Sequence, residues 1–85
     1  MVRVAVLTHN PLIRAGYERA TLSAALALVD SETAADLSLR SEEISPSQAP
    51  IDVLVGDAGA VVTVREVPDE KAWRATLRLL QTLLG

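Results

Sequence analysis

The sequence predicts a small three-layer α/β domain whose sheet has about four strands in the order 2-1-3-4. Short apolar runs typical of buried strands recur along the chain, amphipathic segments suited to helices lie between and after them, and the last of these segments has a wide apolar stripe. The 85 residues are enough for a single domain, residues 1–85. Its core must be aliphatic, because Phe is absent and the only aromatic residues are Tyr17 and Trp73.

The first strand is predicted at residues 2–7, where only Arg3 interrupts an apolar run. Asn10 is a suitable N-cap and Pro11 a suitable first residue for a helix that ends near residue 25. Gly16 weakens that helix, and we expect it to mark the close approach of a neighbouring element. The spacing predicts an inward stripe of Ile13, Tyr17, Ala20 and Ala24, with Arg14, Glu18 and Arg19 facing solvent.

The middle of the chain allows two interpretations. After a second strand at residues 26–29, Thr33 and Asp36 have the spacing of a capping box, which predicts a helix over residues 34–43. The alternating LSLR at residues 37–40 fits an extended segment equally well. The following ISPSQAP, residues 44–50, has the composition of a loop.

The second half of the chain predicts a hairpin followed by a helix. A third strand at residues 51–55 and a fourth at residues 60–67 are separated only by GDAG, whereas a parallel pair needs a crossover of roughly a dozen residues. We therefore expect an antiparallel pair with the last strand at the sheet edge; one bent strand or an exchange between chains are the alternatives. Pro68 and the acids after it then begin the last helix.

The last helix has an apolar stripe wider than one small sheet usually covers. Either the additional leucines lie under the first helix, or they form a homodimer surface, and we favour the second hypothesis. The aromatic residues Tyr17 and Trp73 are candidate anchors of that surface. An open edge of the hairpin offers a second route to dimers. The stripe consists of Trp73, Leu77, Leu80 and Leu84, widened by Ala72, Leu79 and Leu83.

Composition excludes several function classes. The net charge of −3 and the absence of any Lys/Arg cluster argue against direct nucleic-acid binding. No apolar run reaches membrane-spanning length and no signal peptide is evident, so we expect a cytoplasmic protein without membrane contact. Since there is no cysteine and only one histidine, we expect no metal and no other cofactor.

Three collinear segments resemble the receiver domain of two-component response regulators, in the group coupled to helix-turn-helix effectors. These segments are NPLIRAGY at residues 10–17, IDVLVGD at 51–57 and VREVPDEKAWRATLRLL at 64–80. The resemblance implies that Asp57 stands at the phosphoacceptor position and Arg65 at that of the family's lysine. Thr8 and His9 stand where the family has two acids that hold Mg²⁺, and a hydroxyl and an imidazole are poor ligands for that ion. The chain between Asp57 and Arg65 is also too short for the elements that the family places there.

We therefore expect a shortened, degenerate receiver that is not an enzyme. It would act without phosphorylation, by protein–protein contact and dimerisation, in bacterial signalling or transcription regulation, and a DNA-binding domain would follow in a longer chain. One alternative is a receiver in which Asp57 still accepts phosphate; another is a small-molecule site at the Thr8, His9 and Asp57 edge. The simplest interpretation of Asp57 is a turn residue, and Asp30 and Glu32 could join it around a divalent ion or be solvated loop acids.

Overall fold

The computed structural model describes residues 1–85 as one five-stranded mixed sheet with two α-helices. The sheet order is β2-β1-β3-β4-β5, with every neighbouring pair parallel except β4 and β5. In chain order the elements are β1 (Arg3–Leu7), α1 (Pro11–Ser23), β2 (Ala27–Val29), a 3₁₀ turn (Glu32–Ala34), β3 (Leu37–Arg40), β4 (Ile51–Gly56), β5 (Gly59–Val64) and α2 (Glu70–Leu84).

The predicted strand count and order are wrong at one place, because residues 37–40 form β3 between β1 and β4. The extended interpretation of this segment is therefore the right one, and the helix over residues 34–43 is absent. Alternation decides the outcome: Leu37 and Leu39 are fully buried on the face that α1 and α2 cover, whereas the side chains of Ser38 and Arg40 bond Asp52 in β4. A strand can separate these two sets, one on each face.

The proposed capping box between Thr33 and Asp36 is also wrong. Ser31 caps the 3₁₀ turn instead, since its hydroxyl accepts the backbone N–H of Thr33 at 3.2 Å. The carboxylate of Asp36 accepts the backbone N–H of Arg3 at 2.8 Å and lies 3.4 Å from the guanidinium of that residue. Asp36 thus attaches the start of β3 to the start of β1.

The domain has two layers of regular structure rather than the expected three. Side chains from α1 and α2 join one buried cluster with residues from a single face of the sheet. The opposite face is covered by the connections at residues 30–36 and 41–50, with a small cluster of Ala5, Ala35 and Ala49 beneath them. Neither connection contains an α-helix, which is why the third layer is missing. The main cluster comprises Val4, Ala20, Leu26, Leu37, Leu39, Ile51, Val53, Ala72, Ala75 and Leu79.

The start of α1 confirms the predicted cap. The side-chain oxygen of Asn10 accepts the N–H groups of Leu12 at 2.9 Å and Ile13 at 3.3 Å, and Pro11 is the first helical residue. The expectation for Gly16 is wrong, because this residue is exposed and a Cβ added there would meet nothing within 4 Å. Arg14 is exposed as expected. Its guanidinium nevertheless donates to the carbonyl oxygens of Val6 and Thr8, which lie past Ala5, the last residue of β1 that pairs with β2.

The antiparallel hairpin is confirmed. Gly56 pairs with Gly59, so Asp57 and Ala58 form the turn, and Gly59 has a φ of +136° that favours glycine. The strand β5 ends at Val64, earlier than predicted, and pairs only with β4, which leaves its outer edge open. Neither α1 nor α2 combines the length and the apolarity that crossing a membrane requires.

Candidate functional site

Polar side chains meet at the carboxyl ends of β1 and β3, and we call Thr8, Ser41 and Glu43 the strand-end cluster. The chain runs from β1 to β2 on one side and returns to β3 on the other, so the topological switch point of the sheet lies between β1 and β3. Open α/β sheets bind ligands at such points. The site is therefore the first place to examine for chemistry.

A single carboxylate oxygen joins the strand-end cluster. Oε1 of Glu43 accepts the hydroxyl of Thr8 at 3.0 Å, the hydroxyl of Ser41 at 2.5 Å and the backbone N–H of His9 at 3.2 Å. These donors, led by Ser41, lower the pKa of Glu43 to about 2. Thr8 is buried, and its hydroxyl oxygen also accepts the backbone N–H of Asn10. The cluster thus connects the loop after β3 to the start of α1.

The buried hydroxyls of Thr8 and Ser41 find their hydrogen-bond partners within the chain. No cleft of the molecule is lined by Thr8, His9 or Glu43, and the imidazole of His9 is exposed without a hydrogen bond or ion pair. Ser41 and Glu43 were not predicted, because one of the two interpretations of residues 34–43 placed them in a helix and neither assigned them a contact. An acid close after an alternating strand would have been the signal for this contact.

The structure does not bring Asp57 and Arg65 together. Asp57 is exposed in the turn between β4 and β5, whereas Arg65 follows the far end of β5, where its backbone N–H donates to Pro50 at 2.8 Å. In the hairpin, Gly59 lies opposite Gly56 next to the turn, and Val64 lies opposite Ile51 at the far end. At about 3.4 Å per residue, roughly 17 Å of strand therefore separates the turn that holds Asp57 from the end that precedes Arg65. The turn interpretation of Asp57 fits this placement.

Thr8 and Asp57 are also apart, because β3 lies between their strands. At about 4.8 Å between neighbouring strands, β1 and β4 are roughly 10 Å apart. Asp30 and Glu32 follow β2 at the opposite edge of the sheet, so they do not join Asp57 around an ion. Among residues 1–85 no three His, Asp or Glu side chains lie close enough to hold a metal.

A buried polar network lies on the sheet face that the helices leave free. Asp52, 2% exposed, accepts Nε of Arg40 at 2.8 and 3.0 Å and the hydroxyl of Ser38 at 3.1 Å. Arg40 also donates to the carbonyl of Ile44 at 2.8 Å, and the hydroxyls of Ser38 and Ser47 are 2.6 Å apart. The network therefore holds the connection at residues 41–50 against the sheet. The alternate Ser38 and Arg40 of one strand and the single aspartate of the next were its signal in the sequence.

The predicted apolar stripe of α2 is partly uncovered. We call Trp73, Leu77, Leu80 and Leu84 the α2 flank; the side chains of Trp73, Leu77 and Leu84 are 38%, 45% and 53% exposed. Thr82 lines a cleft with residues of α1. At 100° per residue, Thr82 lies on the side of α2 opposite the α2 flank. The α2 flank therefore lies on the side of α2 away from this cleft.

Tyr17 does not belong to the α2 flank. It is half-buried against the main cluster and lines the cleft between α1 and α2. Burial, together with the nearby charge of Glu43, raises the pKa of its phenol. Of the two predicted aromatic anchors, only Trp73 lies on the surface that α2 exposes.

Comparison with known proteins finds no match for this chain among protein-family models, curated proteins or solved structures. Three features of the chain itself bear on its function: the strand-end cluster, the uncovered α2 flank and the open edge of β5.

Proposed function

We propose that this domain is a self-association module in which two copies join through the α2 flank and the edge of β5. Two observations carry the proposal: β5 lacks a second strand partner, and α2, which contacts β5, presents uncovered Trp73, Leu77 and Leu84. Unpaired strand edges and contiguous apolar surface are features of association sites.

A second copy fits these surfaces better than an unrelated partner would. Two β5 strands can pair antiparallel about a twofold axis, so that each edge completes the other. Ala60, Val62 and Val64 lie on the helix-covered face, as their partners in β4 show. Pairing of two β5 strands would bring the two α2 flanks together on that same face. A typical interface of about 800 Å² per partner would cover about a sixth of the 5142 Å² surface.

The proposal includes a flavodoxin-like, receiver-related origin. The strand order β2-β1-β3-β4-β5 supports it, because this is the doubly wound order of that fold class. In this interpretation β5 has reversed its direction, and two of the usual helices are replaced by the connections at residues 30–36 and 41–50. Such a module would act in bacterial signalling or transcription regulation and would not require phosphate on Asp57.

Sedimentation equilibrium over a range of protein concentrations tests the association. We expect the mass of a dimer for the natural chain and of a monomer for Trp73→Glu and Leu77→Lys, which place charges on the α2 flank. Leu12→Glu is the matched control, because Leu12 is 84% exposed on α1, away from that flank. A monomer at every concentration, or a dimer that withstands both flank substitutions, would contradict the proposal.

The phosphorylation-independent part has its own test. The chain is incubated with acetyl phosphate and Mg²⁺, and its mass is measured. We expect no gain in mass, because no cation or carboxylate pairs with Asp57 in the turn. A gain that is lost in Asp57→Asn would replace this part of the proposal with a phosphoaccepting receiver.

A further inference from the structure

A cleft of about 600 Å³ opens between α2 and the amino ends of β1 and β2, and we call it the α2 groove. One side consists of Val2, Ala25 and Leu26, the residues next to the first positions of β1 and β2. The other side includes Lys71, Arg74 and Arg78 of α2. Its volume lies in the range of small-molecule sites, which are commonly apolar with a few charged groups.

The charge of the α2 groove contrasts with that of the whole chain. Three of the 8 Lys and Arg residues line it, although the net charge is −3. Their spacing of three and four residues places them on one helix face, over about 10 Å of the helix axis. Arg74 pairs with Glu70, but Lys71 and Arg78 have no acidic partner within 4.0 Å. The groove therefore holds two basic side chains that the chain itself does not neutralise.

The apolar side of the α2 groove includes a backbone outlier. Leu26 is buried and Val2 is half-buried, and both line the cleft. Ala25, which also lines the cleft, has a φ of +59° and is the only non-glycine residue in the chain with a positive φ. This conformation usually selects glycine or asparagine at a helix end. The alanine retains a methyl group that glycine would remove from the wall of the groove.

We propose that the α2 groove binds a small amphipathic anion, a carboxylate or phosphate joined to an apolar body. Lys71 and Arg78 would pair with the anionic head, and Val2, Ala25 and Leu26 would cover the apolar part. An inorganic anion would leave the apolar wall unused, and a neutral hydrocarbon would leave both cations unpaired. This inference goes beyond self-association, since Leu77 is the one residue that the groove shares with the α2 flank.

Amide chemical shifts of the isotopically labelled chain test the inference with four probes: decanoate, decyl phosphate, decanol and inorganic phosphate. We expect the first two to bind saturably below their micelle concentrations and to shift the amides of residues 2, 25–26 and 71–78. Decanol and inorganic phosphate should bind about tenfold more weakly or not at all, because each makes only one of the two kinds of contact. Comparison of decanoate with decyl phosphate then shows which anionic head the groove prefers.

The double variant Lys71→Gln/Arg78→Gln should weaken decanoate binding about tenfold, as expected for two lost charge contacts of modest strength. Arg65→Gln is the matched control, since Arg65 is exposed and its side chain makes no hydrogen bond or ion pair. Equal binding of decanol and decanoate, shifts confined to other residues, unchanged affinity in the double variant, or no saturable shift at millimolar decanoate would each overturn the inference. Repeating the titration with Trp73→Glu separates this result from the failure of self-association.

Discussion

Removal of Asp52 should destabilise the domain more than the removal of any exposed acid. Its carboxylate is the only acidic partner of Arg40, whose side chain is 11% exposed, and it also accepts the hydroxyl of Ser38. Asp52→Ala would leave the guanidinium buried without an opposite charge, at a cost of about 3–5 kcal/mol. A domain of 85 residues has a total free energy of unfolding of about 4–13 kcal/mol, so the variant would lose a large part of it.

Urea unfolding followed by circular dichroism measures this loss. Two further variants make the result specific to the buried charge. Arg40→Met/Asp52→Leu removes both charges and should lie within about 1 kcal/mol of the natural chain or above it. Glu18→Ala breaks the exposed pair with Arg14, 3.9 Å apart, and should cost less than about 0.5 kcal/mol.

The same network predicts a local effect. Since Arg40 and Ser38 also bond Ile44 and Ser47, Asp52→Ala should speed hydrogen exchange in residues 41–50 more than elsewhere. A cost below about 1 kcal/mol for Asp52→Ala, or a double variant as unstable as the single one, would show that the Arg40 guanidinium does not depend on this carboxylate.

Further predictions concern glycine, acid and the helix cap. Gly16→Ala should raise the free energy of unfolding by about 0.5–1 kcal/mol, because the site is helical and has free space for a methyl group. Gly59→Ala should lower the free energy of unfolding, because Gly59 has a φ of +136°. Urea titrations of the two variants measure both effects. The Glu43 pKa is about 2 in the folded chain and 4.5 for an unperturbed glutamate, so its stabilisation is complete above pH 4.5 and is lost as the pH falls towards 2. Glu43→Gln should therefore show a flatter loss of stability over that interval in acid titrations. Asn10→Ala should cost about 0.5–2 kcal/mol by thermal unfolding, and an unchanged melting temperature would contradict the role of the cap.

The elements with strong local signals were predicted well, within a few residues at their ends. The cap at Asn10 and Pro11, the short GDAG connection and the spacing of the α2 stripe each depend on neighbouring residues alone. β3 was ambiguous because four alternating residues are too few to exclude a helix. The extended conformation of this segment depends on a distant contact, in which the guanidinium of Arg40 donates to the carboxylate of Asp52. Asp52 lies in β4, which begins eleven positions after the end of β3.

The candidate site shows the same division. Thr8 and His9 were found from their place after the first strand, but their partner Glu43 lies in a segment whose structure the sequence left ambiguous. The resemblance assigned Asp57 and Arg65 to two positions of one phosphorylation site, and only the register of β4 with β5 places them at opposite ends of a hairpin. Contacts between residues distant in sequence depend on which strands become neighbours, and no local pattern encodes that choice.

Composition and periodicity alone therefore establish an aliphatic α/β domain with a capped first helix, a terminal hairpin edge and an amphipathic last helix. Those features arise from the preferences of nearby residues and from the burial of apolar area, both of which are visible in a short window. Tertiary packing decided that α1 and α2 share one face, that Arg40 and Asp52 hold a loop on the other, and that one flank of α2 stays uncovered. These outcomes follow from competition among whole elements for a limited sheet surface.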